Sequence, residues 1–594
     1  MGVSLRALAL GLACLAGGLL PAPAATAQGS APAQTGAGQP MPLLVIPSPD
    51  RAPPPGAPAK GTAAPVIAPA PVPLPSVDPR DVSVVRQNLT APPLGVLAPD
   101  EGGFPATLWV GTPVAALRAL VPAVPDLPLP TLHALARRLL LTAAPLPADS
   151  TPSDAAVLAV LRLSRLLALG QLDGARQLAE TIPASLDAPD LPRLRWEALA
   201  LSGRMPEACA ALNQGIGTDD SAEVAEGRVL CQLVTGNAAG ASLGLDVLRD
   251  RKPHDLVFLA AADALNGLPP RKPITTLRDP TPVQFAALHA AKLPLPDDAI
   301  DTARPVVLAA IAGAADLPPD QRLAAAERAE ALGILNTDSL RKLVDAYPFS
   351  PGELALPLAR IGAIPGPRAL ALLARAAETT PDPATRVALL SKALDMAAAR
   401  GRFPTAARLL APQIAAIGVQ TPFAAFAPAA ARALLIAGQP GAAEHWLDLA
   451  GRQPDGAKAA SRLWPLARAW GIGDPSPGIV EAWVAGVDPR QAALALSLLS
   501  GLGQRVPATA WLALLSVPRP TPGANPAVAQ LLAGLSRDSR LGGTVLATLV
   551  SLDAGAPDKV DPNSLSRAVA ALKTAGLEPD ARRLAVELML AGGI

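Results

Sequence analysis

Beyond residue 113 the apolar positions recur at helical rather than alternating spacing. Leucine and alanine fall three and four apart in "TLHALARRLLLTAA", "SDAAVLAVLRLSRLLALG", "LPRLRWEALALSG" and "SAEVAEGRVLCQLVTG", and Pro, Gly or Asp separates the runs. Such spacing puts one apolar stripe along an α-helix. A strand would show β-branched residues at every second position, and no such run stands out. Even "TARPVVLAAI", from Thr302 to Ile311, sits in an alanine-rich segment of helix length. The chain is expected to be all-α from 113 onward.

A junction repeats between these helices. Gly170 precedes Ala175 by five positions, as Gly203 precedes Ala208 and Gly236 precedes Ala241. Further on the same pairing joins Gly401 to Ala406, Gly438 to Ala443, Gly503 to Ala508 and Gly576 to Ala581. Each glycine usually follows an apolar run. The first three are spaced 33 and 33 residues apart, and Gly401 and Gly438 are 37 apart. A glycine there can take the left-handed conformation that ends a helix. The small alanine then lets the two helices of a hairpin approach closely.

A period of about 34 residues with a small side chain after the turn resembles the tetratricopeptide (TPR) repeat family. The resemblance covers residues 150–250 and 390–594 and leaves the middle poorly matched. It implies a right-handed solenoid of helical hairpins with an extended binding surface. The aromatic positions of the family consensus are mostly absent, so no ligand residues carry over. Proline-rich breaks at 266–282 and 346–353 place a soft boundary near 350. The expected body is thus a helical-repeat region at 113–350 and a second at 351–594.

The first 112 residues have a different character. Arg6 is the only charge in the first 27 residues, Ala7 to Leu20 is uncharged and largely apolar, and Ala25-Thr26-Ala27 is an A-x-A site. This reads as a signal peptide, 1–27, cleaved between Ala27 and Gln28, and implies a periplasmic or secreted protein. Lipidation at Cys14 would need a different preceding box. Residues 28–80 are Pro/Ala-rich and are expected to be a disordered, extended tether. Residues 81–112 form an extended docking or capping segment with Phe104 and Trp109. Thr112 and Pro113 read as the cap and first turn of the first helix. No later segment reads as membrane-spanning: the longest uncharged run beyond the N-terminal tract, Leu409 to Ala431, contains Pro412, Pro422 and Pro428.

Composition narrows the function classes. The chain has 594 residues, half of them hydrophobic but only 3% aromatic. The cores must be thin Ala/Leu layers between close helices. The net charge of +1 gives no footprint for nucleic acid. After signal cleavage only Cys209 and Cys231 remain. In an oxidising compartment they suggest one disulfide, with two buried free thiols as the alternative.

Candidate chemistry is sparse. Gly240-Ala241-Ser242-Leu243-Gly244 fits the G-x-S-x-G turn of α/β-hydrolases, which needs a strand before the serine. The junction register instead puts Gly236 at a turn and Ser242 early in a helix. The four histidines, His133, His254, His289 and His445, show no metal-ligand spacing. "GRQPDGAKAAS", 451–461, only approximates a phosphate-binding loop. Asp219-Asp220, Asp297-Asp298 and Asp382 suit helix capping. Trp446, Trp464, Trp470, Trp483 and Trp511 cluster in the C-terminal region, as interhelical core or as a ring-lined groove.

The expected function is a non-catalytic scaffold or adaptor in an envelope-associated complex, with unidentified envelope proteins as partners and no cofactor. An accessory subunit for polysaccharide or peptidoglycan assembly is one alternative. An enzyme resembling the soluble lytic transglycosylases is another, but these need a catalytic Glu-Ser pair, and no Glu-Ser dipeptide occurs.

Overall fold

A computed structural model describes residues 94–594 apart from 127, 184, 187, 215–220, 252, 269–271, 516–524 and 553–559. The expected signal peptide, the Pro/Ala tract and Asp219-Asp220 lie outside the described residues. The described residues form one compact unit. Among the described residues the chain is helical, and its only β contacts are two isolated bridges, Leu94 to Ala144 and Leu97 to Thr142. None of these helices is long and apolar enough to cross a membrane.

Consecutive helices pack against each other as hairpins. Leu191–Leu201 lies against Met205–Asn213, Gly366–Thr379 against Pro383–Ala399, and Ala427–Ile436 against Pro440–Gly451. Proline helps start the helices. Pro130, Pro152, Pro282, Pro305, Pro319, Pro383, Pro440 and Pro489 all sit in a first turn. The fixed φ of proline suits that turn, and its missing N–H would have no partner there anyway.

All seven junction glycines have positive φ, between 68° at Gly401 and 80° at Gly576. In six of them the next helix begins two residues later, as at Leu172, Met205 and Ala238. The alanine five beyond the glycine is then fully buried, as at Ala175, Ala208, Ala241, Ala406, Ala443 and Ala581. The seventh junction differs. After Gly503 the chain runs on through Pro507, and the helix begins only at Ala508. Ala508 is exposed and Ala510 takes the buried position. The longer connection shifts the register.

Two helices are buried on almost every side. Pro305–Gly313 buries Val306 through Ala312, and Leu541–Ser551 buries Gly542 through Ser551. An all-round apolar helix has to be enclosed by neighbours. Leu541–Ser551 packs on Val114–Leu120 and Pro130–Leu141, so a late helix returns to the first two. The final helix, Glu578–Ala591, also packs on Pro130–Leu141. In an open solenoid each repeat meets only its neighbours. Here the C-terminal helices close back onto the N-terminal ones.

The segment before the first helix is part of that closure. Phe104 and Trp109 are buried. The Arg138 guanidinium stacks 4.0 Å over the Phe104 ring. The Gly542 N–H donates to the Leu108 carbonyl at 3.0 Å. A Cβ on Gly542 would lie 2.5 Å from that oxygen, so only glycine lets the two segments meet. The first helix starts one residue later than the Thr-Pro pair implies. Pro113 occupies the cap position, and the Val114 N–H donates to the Asp149 carboxylate at 3.1 Å. The cap is supplied from across the fold instead of by Thr112, which is itself buried.

Ion pairs cross position 350. Arg400 pairs with Glu327, and Arg408 pairs with Glu330 at 2.7 Å. Arg368 also reaches Asp320 across this position, at 3.7 Å.

Candidate binding cavity

Helices and junctions distant in sequence enclose a cavity of about 1190 Å³. Its wall takes residues from Pro130–Leu141, from the junctions after Gly170 and Gly333, from Pro282–Ala290, and from Glu578–Ala591. Ala134, Asp173, Ala315, Asp316, Lys342 and Arg583 line it and are exposed, so the cavity opens to solvent.

Glycine brings the walls together. A Cβ on Gly170 would lie 2.7 Å from the Pro305 carbonyl oxygen, and one on Gly333 would lie 2.7 Å from Pro130 Cα. Beside them, buried Gln171 donates from Nε2 to the Ile334 carbonyl at 3.2 Å. These contacts tie the early hairpins to the middle of the chain.

A polar chain runs along one side. Glu330 is 2% exposed and accepts from Arg408 Nε at 2.7 Å and Nη2 at 2.9 Å. Thr337 Oγ1 also donates to it at 2.8 Å. Glu587 accepts from the Thr131 N–H at 3.1 Å and from its hydroxyl at 2.8 Å, across 456 positions of sequence. Burial pushes the Glu587 carboxyl up to about 7, against the Thr131 hydrogen bonds and the charges of Arg408 and Arg583. The Glu587 bond is one of the links that closes the last helix onto Pro130–Leu141.

The other carboxylates of the wall also have donors. Asp173 pairs with Arg176 at 2.7 Å, and Asp580 with Arg583 at 3.4 Å. His289 Nε2 lies 2.8 Å from Asp316 Oδ1, and this contact holds the Asp316 carboxyl below its usual range. Arg137, Arg322 and Lys342 line the same cavity and have no ion-pair partner among the described residues.

A second acidic cluster lies elsewhere. Glu197, in Leu191–Leu201, and Glu226, in Ala222–Val234, are both pushed up to about 7, chiefly by burial. Arg193, 3.8 Å away, partly offsets this at Glu197. Asp255 and Glu223 add to it at Glu226.

The residues singled out from sequence are dispersed. Ser242 is exposed within the helix Ala238–Asp250, and the helix Ala222–Val234 precedes it where a hydrolase would have a strand. Cys209 and Cys231 form a disulfide, with Cα atoms 5.4 Å apart, that joins Met205–Asn213 to Ala222–Val234. Asp382 caps its helix, accepting from the Thr385 N–H at 2.9 Å. Trp446 and Trp483 are buried, and Trp464, Trp470 and Trp511 are half-buried. Trp446 meets Phe426 edge-on, Trp464 lies beside Trp483, and Trp470 Nε1 donates to the Leu435 carbonyl at 2.9 Å. These rings pack between helices. Of the histidines, only His289 lines the cavity.

The buried carboxylates were missed from sequence. The available signal was charge inside apolar helical runs, as at Glu327 and Glu330 in "AAAERAEAL", Glu226 in "SAEVAEGRVL" and Glu587 in "RRLAVELML". A charge on an apolar stripe must find a buried partner or neutralise, but its spacing does not name the partner. The chain matches no known family model, and no curated protein or solved structure is significantly similar to it.

Proposed function

We propose that the chain is a non-catalytic scaffold or adaptor, built as a TPR-like stack of helical hairpins, that takes a segment of a partner protein into the central cavity. The carrying observation is the cavity itself, about 1190 Å³ and open to solvent, formed where hairpins from distant parts of the chain meet. The carboxylates of its wall are bound to arginine, histidine or threonine donors. Groups so engaged hold a shape, and a preformed shape lowers the ordering cost of binding. The N-terminal leader pattern supports an envelope setting, where the Pro/Ala tract would act as a tether.

The test is site-specific photocrosslinking in the native envelope. A crosslinking residue at Ala134 or Ala315, in the cavity wall, is expected to capture the same discrete partner. One at Lys392, exposed and away from the cavity, is expected to capture none. Absence of capture from both Ala134 and Ala315, whatever Lys392 captures, would overturn the reading.

A further inference from the structure

The wall of the cavity carries an unbalanced charge. Every carboxylate there has a donor at hydrogen-bonding or ion-pair distance: Arg176 for Asp173, His289 for Asp316, Arg408 for Glu330, Arg583 for Asp580 and Thr131 for Glu587. Arg137, Arg322 and Lys342 have no such partner among the described residues. Arg322 also has a buried Nε without a hydrogen-bond acceptor. A buried donor left without an acceptor costs free energy, and a guanidinium offers its donors in a fixed fork that fits a carboxylate. The lining as a whole carries six arginine and lysine side chains against five carboxylates, so its net charge is positive.

We infer that the cavity takes an acidic peptide segment, with carboxylate side chains that meet Arg137, Arg322 and Lys342. This rests on the cavity being the docking site proposed above and adds the chemistry of its occupant. The three cations come from three helices, Pro130–Leu141, Pro319–Ala331 and Thr337–Asp345. A ligand with one charge can satisfy only part of that set. A short extended chain, advancing about 3.3 Å per residue with side chains on alternate sides, can present several carboxylates within one cavity. Complementary charge of this kind fixes register and speeds association.

The probe is a rhodamine-labelled hexaglutamate peptide, followed by fluorescence anisotropy with the mature full-length protein. Saturable one-to-one binding is expected, weakening as sodium chloride rises from about 50 to about 300 mM. The triple variant Arg137→Ala, Arg322→Ala, Lys342→Ala is expected to bind about tenfold more weakly, the sum of three modest ion pairs. Ala134→Trp, which fills the cavity from an exposed wall position, should lower binding by a similar factor and leave every charge in place. Hexaglutamine should not bind. Circular dichroism and the thermal midpoint confirm that the variants are folded.

Three results would overturn the inference. One is binding that neither the triple variant nor Ala134→Trp alters. Another is binding of hexaglutamine as tight as that of hexaglutamate. The third is displacement of the peptide by inorganic phosphate beyond the effect of sodium chloride at matched ionic strength, which would mark a small-anion site. The photocrosslinking separates the two readings. If the triple variant still captures its partner from Ala134, the acidic chemistry fails and the docking site stands. If neither cavity position captures a partner, the docking site itself fails.

Discussion

Replacing Arg408 by methionine tests whether the closure of the fold depends on a buried charge pair. The change keeps much of the side-chain volume and removes two charge-assisted hydrogen bonds, at 2.7 and 2.9 Å, from a carboxylate that is 2% exposed. Glu330 keeps only the Thr337 hydroxyl, and Glu587 loses a nearby cation. Stranding one partner of a buried pair typically costs about 3–5 kcal/mol. The double variant Glu330→Met, Arg408→Met strands no charge and should recover most of that loss, since apolar replacements of buried pairs are often neutral. The assay is urea unfolding of the wild type, the single variants Arg408→Met and Glu330→Met, and the double variant, by far-UV circular dichroism at about pH 7.5. A single-variant loss under about 1 kcal/mol, or a double variant worse than either single, would refute the reasoning.

Three further outcomes follow from the structure. The disulfide between Cys209 and Cys231 spans 22 positions, so its loss should cost about 3 kcal/mol by the chain-entropy estimate; urea unfolding of Cys209→Ala, Cys231→Ala measures this, and alkylation of both thiols in unreduced protein would contradict the bridge. Ser242→Ala, at an exposed helical position, should change stability by less than about 0.5 kcal/mol, while Ala241→Trp, with no exposed surface and a helix packed against it, should destabilise by at least about 1–3 kcal/mol; thermal unfolding of the pair decides. Glu197 and Glu226 titrate near 7 in the folded chain and near 4.5 when unfolded, so the folded state holds more protons between those values and stability should fall as pH rises from about 4.5 to about 7; Glu197→Gln with Glu226→Gln should flatten that dependence and raise stability at about pH 8, and an unchanged pH profile would show that neither carboxyl is raised.

The sequence alone determined the local structure. Helical periodicity named the secondary structure, and the glycine–alanine junctions named the hairpin turns, because left-handed φ and close helix contact are short-range demands that only small residues meet. The same logic moved Ser242 from a possible nucleophile into a helix. It failed after Gly503, where a longer connection moved the buried position to Ala510 without leaving a mark on the glycine–alanine spacing. The poorly patterned middle of the chain is also where the all-apolar helix Pro305–Gly313 lies. A helix enclosed on every side has no polar face and so no amphipathic signal.

What the tertiary structure decided is long-range. Thr131 and Glu587 are 456 positions apart, and nothing local in either segment specifies that they bond. The closure, the cavity and the pairing of Arg408 with Glu330 depend on contacts between helices far apart in the sequence. Sequence periodicity fixes each hairpin but not those contacts. The charges on apolar stripes at Glu226, Glu330 and Glu587 were visible as residues needing partners. Only the folded chain shows which partners they found, and which cations of the cavity wall it left without one.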